Sequence, residues 1–382
     1  MPRKGLSKIF RIPSFSGTQG KPDLFFLIAF FCLAGFGLLM LSSASVVVSY
    51  QKYNSSSYYI IHQLLFGVLP GSIICFFCSK IDYHVWKRFA FLFLIISIFL
   101  LIMVFMPGIG YEYGGARRWL HIGSLLFQPS EVVKLTFLIY LAAWLGNRGE
   151  KKVGDFSYGF VPFIAVVGTI SLLVITQPDM GTMGVIALIA LCMYFVAGAS
   201  LAHIGLIAGG SILALFALIK AAPYRLERFM TFLHPELDPL GVGYHINQAL
   251  LAVGSGGFWG RGFGHSRQKF AYLPEVTGDS IFAIAAEELG FVFSVLFISL
   301  FIFFAIRGLR IAMRAPDTFG MLVAVGIVSW ITFQAFINIG AMLSILPLTG
   351  IPLPFVSYGG SSIVVLLAAV GILINISRHA KT

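Results

Sequence analysis

Charged residues are scarce in this chain of 382 residues. Asp, Glu, Lys and Arg together make up 11% of the sequence, and only 15 residues are acidic. Hydrophobic residues make up 58%, and the mean hydropathy is +0.92, which lies far outside the range of soluble globular domains. This composition argues against a soluble enzyme and against a nucleic-acid partner. The net charge of +11 is better explained by membrane topology.

Cysteine and the signatures of hydrolases are also rare or absent. The four cysteines, Cys32, Cys75, Cys78 and Cys192, all fall inside apolar runs, and the Cys75 and Cys78 pair has no second pair of ligands. Lipid-facing or packed thiols are therefore favoured over a zinc site or a disulfide. No G-x-S-x-G, K-T-G or H-E-x-x-H sequence occurs, which argues against a serine hydrolase or a transpeptidase.

Long apolar runs recur along the whole sequence, as in a polytopic membrane protein. The first run, Leu24 to Val48, is too long for a signal-peptide core and is interpreted as a span. The fold predicted is all-α. Ten transmembrane helices are expected at residues 24–48, 58–79, 88–106, 131–146, 158–175, 180–197, 201–219, 279–306, 320–346 and 357–377.

The distribution of basic residues predicts that both termini are cytoplasmic. With that orientation the inner segments hold 16 Lys and Arg residues and the outer loops hold nine. Six of those nine lie in one long loop, which the positive-inside rule discounts. We therefore expect a cytoplasmic segment 1–23, a transmembrane domain 24–377 and a cytoplasmic tail 378–382, with a large extracytoplasmic loop 220–278 between spans seven and eight.

The outer loops predict a functional site on that side of the membrane. The inner loops are short and basic, whereas segments 107–130, 220–278 and 347–356 are long or rich in proline. Loop 220–278 is too long to be a simple connector. Its stretch 244–257 predicts a short interfacial helix, because four apolar residues recur at helical spacing: Ile246, Ala249, Leu250 and Val253. The prolines and the Gly-Gly pair of 346–362 predict extended backbone that lines a cavity.

Four of the 15 acidic residues lie between positions 272 and 290: Glu275, Asp279, Glu287 and Glu288. Asp279 lies at a junction between a loop and a helix, where it is either a helix cap or a chemical group. Glu287 and Glu288 lie roughly 12–14 Å further along the helix, at a depth where an unpaired charge is costly. We expect one of them to face a cavity and the other to pair with a neighbouring span, with Lys134 as a candidate partner.

Other polar residues allow two interpretations each. Glu131 and Lys134 share a helix face at i,i+3 spacing, as a structural ion pair or as part of a cavity. Asp179 is placed to cap the next span or to contact a substrate. The basic residues of the outer loops form a solvated rim or a site for a multiply charged anion such as a lipid pyrophosphate: Arg117, Arg118, Arg225, Arg228, Arg261, Arg267 and Lys269. Gly260, Gly262 and Gly264 do not follow a strand, so a nucleotide-binding loop is rejected.

Five ordered motifs together resemble the SEDS family (shape, elongation, division and sporulation), the polytopic peptidoglycan glycosyltransferases typified by FtsW and RodA. They are GARRWL (115–120), QPSEVVK (128–134), QPDMGT (177–182), the run from GYHINQ to EELG (243–290) and LTGIPLPFVSYGGSS (348–362). The stretch GHSRQKFAYLPE is more similar to the division branch, FtsW, than to the elongation branch. One departure is that Thr277-Gly278 precedes Asp279 where the family commonly has His-Thr, and Ser280 replaces the usual aromatic residue.

The resemblance implies a reaction and roles for individual residues. It implies polymerisation of lipid II into β-1,4 glycan strands at the outer membrane face, by an inverting single displacement with Asp279 as general base. Arg117, Arg118, Lys269, Glu275 and Ser357 are expected to bind the substrate. A cavity is expected to be shaped by Glu131, Lys134, Asp179 and Glu288. A divalent cation, Mg²⁺ or Mn²⁺, is expected to assist with ligands that stay unassigned, and no organic cofactor is expected.

The resemblance also implies partners and a location. The expected partners are lipid II, the undecaprenyl-pyrophosphate-linked glycan, a cognate class B penicillin-binding protein (a transpeptidase), other divisome proteins and membrane lipids. The expected location is the bacterial cytoplasmic (inner) membrane, at the division septum. Three alternatives stay open: an elongation polymerase of the RodA type, a lipid II flippase, and a non-catalytic division scaffold.

Overall fold

The computed structural model describes residues 20–113, 116–122, 125–221 and 223–380. Within these ranges the chain forms a helical bundle with one small sheet. The helices are α1 (Leu24–Ala44), α2 (Val46–Tyr53), α3 (Tyr58–Gln63), α4 (Leu69–Lys80), α5 (His84–Arg88), α6 (Ala90–Met103), α7 (Pro129–Val153), α8 (Val161–Ile175), α9 (Met180–Val196), α10 (Leu201–Ala221), α11 (Pro223–Leu233), α12 (Val242–Ser255), α13 (Ile281–Met313), α14 (Thr318–Met342) and α15 (Gly360–His379). Short π-helical segments occur at Leu64–Val68 and Phe156–Phe160, and a short 3-10 helix occurs at Pro235–Leu237.

Each predicted span coincides with a helix, and most of these helices are long and apolar enough to cross a membrane. In the described part of the chain, seven helical segments meet that condition: α1, α10, α13, α14, α15, Tyr58–Lys80 and Phe156–Ile175. Helices α6 and α9 are apolar but shorter, and α7 contains the charged residues Glu131 and Lys134. The protein is therefore a multi-pass membrane protein, and the count of ten spans stays a prediction.

A three-stranded antiparallel sheet follows α6, within the outer segment 107–130 of a fold that was predicted to be all-α. Its strands are β1 (Gly110–Tyr113), β2 (Ala116–Ile122) and β3 (Leu125–Phe127), in the order β1-β2-β3. Pairing of β1 with β2 shifts register between Tyr111 and Glu112, so that Glu112 lies opposite Arg117. Strands this short carry little periodic signal in a sequence. For that reason no strand was predicted from the sequence.

Helix α13 is broken at Gly290, where φ is 79° and ψ is −175°. Segment 257–262 packs against the break and supplies the hydrogen bonds that the helix loses; the Arg261 N–H, for example, donates to the Glu287 carbonyl oxygen at 3.0 Å. The two backbones approach so closely that a Cβ atom at Gly290 would lie 2.2 Å from the Gly260 nitrogen. Glycine is therefore required at this contact. The same contact accounts for Gly260, one of the three glycines Gly260, Gly262 and Gly264 noted in the sequence.

The large loop contains the short helix that the sequence predicted. Helix α12 packs against α13, and its buried apolar positions include Ile246, Ala249 and Ala252. Leu250, another of the four apolar positions, is 39% exposed. The short helix is confirmed, and its location at the membrane interface stays a prediction.

The helices alternate in direction, so their connections collect at two opposite ends of the bundle. One end holds both described termini, where Arg307 forms an ion pair with Asp23 and Asp317 accepts a hydrogen bond from Tyr83. The other end holds the sheet, α11, α12 and two long connections, 256–280 and 343–359. We call it the loop-rich end. Segment 343–359 joins α14 to α15 without forming a helix, as its prolines predicted.

Candidate functional site

Asp279 lies at the loop-rich end, just before α13 begins. Ser280 occupies the N-cap position of α13, and the first turn of the helix contains no acidic residue. The alternative that Asp279 is a cap or first-turn residue is therefore wrong. Its side chain is partly exposed and lies beside Gly350, where a Cβ atom would be 3.9 Å from Asp279 Oδ2.

The backbone of Asp279 is held by a side chain of α14. The Asn338 amide nitrogen donates to the Asp279 carbonyl oxygen at 2.8 Å and to the Ile351 carbonyl oxygen at 2.9 Å. Asn338 is buried, so both bonds are shielded from water and are costly to lose. One amide group thus joins the start of α13 to the 343–359 connection.

Ser357 and Tyr358 hold the two residues that precede Asp279. The Ser357 hydroxyl donates to the Gly278 carbonyl oxygen at 2.6 Å and accepts from the Leu353 N–H at 2.8 Å. The Tyr358 N–H donates to the Thr277 carbonyl oxygen at 2.8 Å. The expectation that Ser357 binds substrate is therefore wrong, because its hydroxyl is buried and already engaged. The unusual Thr277-Gly278 pair contributes backbone acceptors to this contact.

The electrostatic surroundings of Asp279 favour its neutral form. Burial, and to a smaller extent repulsion from Glu275, raise the pKa of Asp279 from 3.8 to about 7. Glu275 is exposed and lies four residues earlier, in a left-handed backbone conformation with φ of 49°. A carboxyl group with a pKa near neutral pH is well matched to accept a proton from a sugar hydroxyl.

Lys269 does not point into this site. Its ammonium group donates to Glu288 Oε1 at 3.0 Å, to the Gly264 carbonyl oxygen at 2.6 Å and to Ser43 Oγ at 3.2 Å. An ammonium group has three donors, and all three are used at a position where the side chain is 4% exposed. The expectation that Lys269 binds a pyrophosphate is therefore wrong.

The deep acids Glu287 and Glu288 bind the large loop. Glu288 accepts from Ser43 Oγ on α1 at 2.7 Å and from backbone N–H groups of Gly264 and Ser266. Glu287 accepts from the N–H groups of residues 267 and 268 at 3.0 and 3.2 Å. Both are almost fully buried. Pairing with a neighbouring span is confirmed for Glu288, whereas Glu287 binds the large loop, and Lys134 pairs with Glu131 and not with either of these acids.

Lys134 pairs with Glu131, as the interpretation of a structural ion pair required. The Nζ–Oε1 distance is 2.6 Å, and Lys134 also donates to Gln334 Oε1 at 2.7 Å. Ser362 donates to Glu131 Oε2 at 2.7 Å, and the Gln334 amide donates to the Pro352 carbonyl oxygen at 2.8 Å. The network connects α7, α14 and α15 with the connection that lies beside Asp279, so it supports the site without entering it.

The two sheet arginines differ in availability. Arg118 donates to the carbonyl oxygens of Gln177 and Pro178 in the turn before α9, so its guanidinium is partly occupied. Arg117 is 59% exposed and pairs with Glu112 across the sheet at 3.1 Å. Arg117 is thus the more accessible of the two for an anion.

Asp179 caps α9. Its carboxylate accepts from the Thr182 N–H at 3.0 Å, and the side chain is buried. The capping interpretation of Asp179 is confirmed. A direct contact between Asp179 and a substrate is not compatible with this burial.

The family model of the cell cycle proteins FtsW, RodA and SpoVE matches residues 23–382. The chain belongs to this family. Among curated proteins, stage V sporulation protein E of Bacillus subtilis is 44% identical, over 94% of this chain and 98% of that protein. A probable peptidoglycan glycosyltransferase FtsW of Trichlorobacter lovleyi is 37% identical, over 98% of this chain and 96% of that protein. The resemblance seen in the motifs is confirmed.

The fold of this FtsW/RodA/SpoVE family member is shared by several solved structures. A structure described as "Structural coordination of polymerization and crosslinking by a peptidoglycan synthase complex" aligns with a TM-score of 0.78 at 26% identity, covering 94% of this chain and 98% of that one. Thermus thermophilus RodA aligns with a TM-score of 0.69 at 25% identity, covering 94% and 98% of the two chains. An aspartate-to-alanine variant of that RodA aligns with a TM-score of 0.70.

Some residues of this candidate site were missed from the sequence. Gln334 and Asn338 are polar residues one helical turn apart in the apolar α14, and that i,i+4 pair was a usable signal. Gly350 and His245 carried no comparable signal, because their position beside Asp279 and Ser280 depends on how the connections fold back over the bundle.

Proposed function

We propose that this protein is a peptidoglycan glycosyltransferase that polymerises lipid II into β-1,4-linked glycan strands. Relatives named probable peptidoglycan glycosyltransferase FtsW align along 94% or more of the chain. The observation that carries the proposal is Asp279, a carboxyl group with a pKa near 7 that is fixed by backbone contacts at the loop-rich end of the bundle.

The proposed reaction is a single displacement. The 4-hydroxyl oxygen of the acceptor GlcNAc forms a bond to C1 of the donor MurNAc, the bond from C1 to the pyrophosphate oxygen breaks, and undecaprenyl pyrophosphate leaves. An α-linked donor that becomes a β-linked product requires inversion, hence a general base and no covalent glycosyl-enzyme. Asp279 accepts the proton of the hydroxyl group. Glu275, exposed at the same rim, is assigned to substrate binding.

The leaving pyrophosphate requires compensation of its charge. We assign Arg117 to this role first and Arg118 second, because the guanidinium of Arg118 already donates to two carbonyl oxygens. Mg²⁺ or Mn²⁺ is proposed as a companion of the pyrophosphate. Within the described ranges, no group of three or more His, Cys, Asp and Glu side chains is placed to hold a metal ion, so no residue is assigned to the cation and no step depends on it.

The proposed topology has ten spans, cytoplasmic termini and an extracytoplasmic loop-rich end. The excess of Lys and Arg at the end with the termini supports this orientation. A class B penicillin-binding protein is the proposed partner, supported by the structural similarity to a synthase complex that combines polymerization with crosslinking. Septal location and the division branch, as opposed to a RodA-type role in elongation, are part of the proposal.

The test is lipid II polymerisation by the purified full-length protein, with and without its class B penicillin-binding protein. Wild type should form glycan polymer, and Asp279→Asn should lose at least about a hundredfold in rate, the usual contribution of a general base. Asp155→Asn, an exposed aspartate at the opposite end of the bundle, is the matched control and should remain active. A wild type that moves lipid II across a vesicle membrane without polymerising it would instead favour the flippase alternative.

A further inference from the structure

His245 on α12 reaches the residue that follows Asp279. Its Nε2 atom lies 2.7 Å from the Ser280 hydroxyl oxygen. Ser280 is fully buried, so water does not compete for this bond. The contact joins the helix of the large loop to Ser280, the N-cap residue of α13, 35 positions further along the chain.

The direction of this hydrogen bond follows from the number of donors. Ser280 has one hydroxyl hydrogen, and its shortest backbone acceptor is the Pro274 carbonyl oxygen at 2.7 Å, whereas Asp279 Oδ1 lies at 3.5 Å. With that hydrogen used, the His245 Nε2–H donates to Ser280 Oγ. The imidazole therefore orients the serine hydroxyl, and the hydroxyl closes the turn from residue 274 to residue 280.

The turn that is closed in this way carries Asp279. The Gly278 and Ser280 N–H groups both donate to the Glu275 carbonyl oxygen, at 2.9 and 3.3 Å, and Glu275 itself has a positive φ. A non-glycine residue in that conformation is strained and persists only where the surroundings hold it. The Ser280 bond to Pro274, set by His245, is one of the contacts that hold it.

His245 acts as a neutral hydrogen-bond donor. Burial lowers its pKa to about 4, so the ring is uncharged at neutral pH and one nitrogen carries the hydrogen. A neutral donor at this place orients the Ser280 hydroxyl without adding a charge next to the Asp279 carboxyl group. It also has a close chemical substitute, since the amide nitrogen of glutamine donates from a similar distance along the side chain.

We propose that His245 is a positioning residue for glycosyl transfer, which acts through Ser280 to hold the Asp279 carboxylate toward the acceptor hydroxyl. This role presupposes the glycosyltransferase activity proposed above. Asn338, Ser357 and Tyr358 fix the backbone of residues 277–279 from α14 and the 343–359 connection, and His245 fixes the following residue from α12. The base is thus held by three segments, of which α12 lies far in the sequence from α14 and the 343–359 connection.

The experiment measures kcat and KM for lipid II with the full-length enzyme. His245→Ala should lower kcat by about tenfold to a hundredfold, the usual cost of a small misplacement of a reacting group, and leave KM close to wild type. His245→Gln should restore most of kcat because it keeps a donor for Ser280 Oγ. Asn247→Ala, an exposed change on the same helix, is the matched control and should leave both constants unchanged.

A double-mutant cycle separates positioning from general destabilisation. Ser280→Ala should lower kcat as His245→Ala does, and the double variant should be no slower than either single variant, because one hydrogen-bonded unit is removed. Additive losses, an unaffected kcat in His245→Ala, or a glutamine variant as slow as the alanine variant would each overturn the role of His245. Lack of polymerisation by wild type would instead overturn the proposed function, so the two failures are distinguishable.

Discussion

The two ends of segment 275–288 treat their acidic residues in opposite ways. At the deep end, Glu288 has an ammonium group, a hydroxyl group and two backbone N–H groups as partners. At the rim, the Asp279 carboxylate has no basic partner among the described residues, and the Ser280 hydroxyl, 3.5 Å from Asp279 Oδ1, gives its hydrogen to the Pro274 carbonyl oxygen. The oxygens of the deep carboxylate are all used to hold the fold together, whereas the rim carboxylate stays available to accept a proton.

The largest expected effect comes from breaking the deep end. Glu288→Gln leaves the ammonium of Lys269 buried without a charged partner, which costs about 3–5 kcal/mol of the free energy of unfolding. Denaturation in detergent micelles should measure this loss. The added change Lys269→Met should recover much of it, and Glu150→Gln, an exposed glutamate of α7, should have no effect. Equal stability of Glu288→Gln and wild type would contradict the structural role of the deep end.

The next effect comes from loosening the backbone at the rim. Asn338→Ala leaves two buried carbonyl groups without their donor and should lower the polymerisation rate about 10- to 100-fold, because small shifts of a reacting group are costly. Thr332→Val on the same helix is the matched control, since the described structure gives the Thr332 hydroxyl no hydrogen-bond partner. A loss of rate equal in both variants would argue against a role of Asn338 at the site.

A smaller change should appear in the pH dependence. The rate at low lipid II concentration should rise with pH near 7, as Asp279 loses its proton. Glu275→Gln removes a negative neighbour that disfavours the charged form, so the midpoint of the pH profile should move to lower pH. Glu236→Gln, an exposed glutamate of the same large loop, should leave the midpoint in place. A midpoint that stays fixed or rises in Glu275→Gln would contradict the electrostatic coupling.

The smallest effect is expected in the exposed sheet at the loop-rich end. Arg117→Gln breaks an exposed ion pair with Glu112 and should change stability by about 1 kcal/mol or less. If Arg117 binds the pyrophosphate, KM for lipid II should rise severalfold while kcat stays near wild type. Lys52→Gln, a change of an exposed basic residue near the same end, should leave KM unchanged, and an unchanged KM in Arg117→Gln would remove that residue from the site.

The sequence predicted the helices well because hydrocarbon spans impose long apolar runs. It also predicted the cap of α9 by Asp179, whereas the role of Asp279 as general base stays a prediction. It failed for Ser357, Lys269 and the partners of Glu287, because those contacts join residues that only the folded connections bring together. Motif membership shows that a residue belongs to the site region, but it does not tell whether its polar atoms face the substrate or the protein.

The most direct measurement determines the rate and the unfolding midpoint of Asp279→Asn in one preparation at pH 8. The folded state raises the pKa of Asp279 above its value of 3.8, so the charged carboxylate destabilises the fold at that pH, and a neutral amide should relieve this. The account predicts a polymerisation rate lowered at least about a hundredfold with an unfolding midpoint equal to or above that of wild type. A variant that still polymerises lipid II, or one that unfolds at lower temperature than wild type, would contradict it.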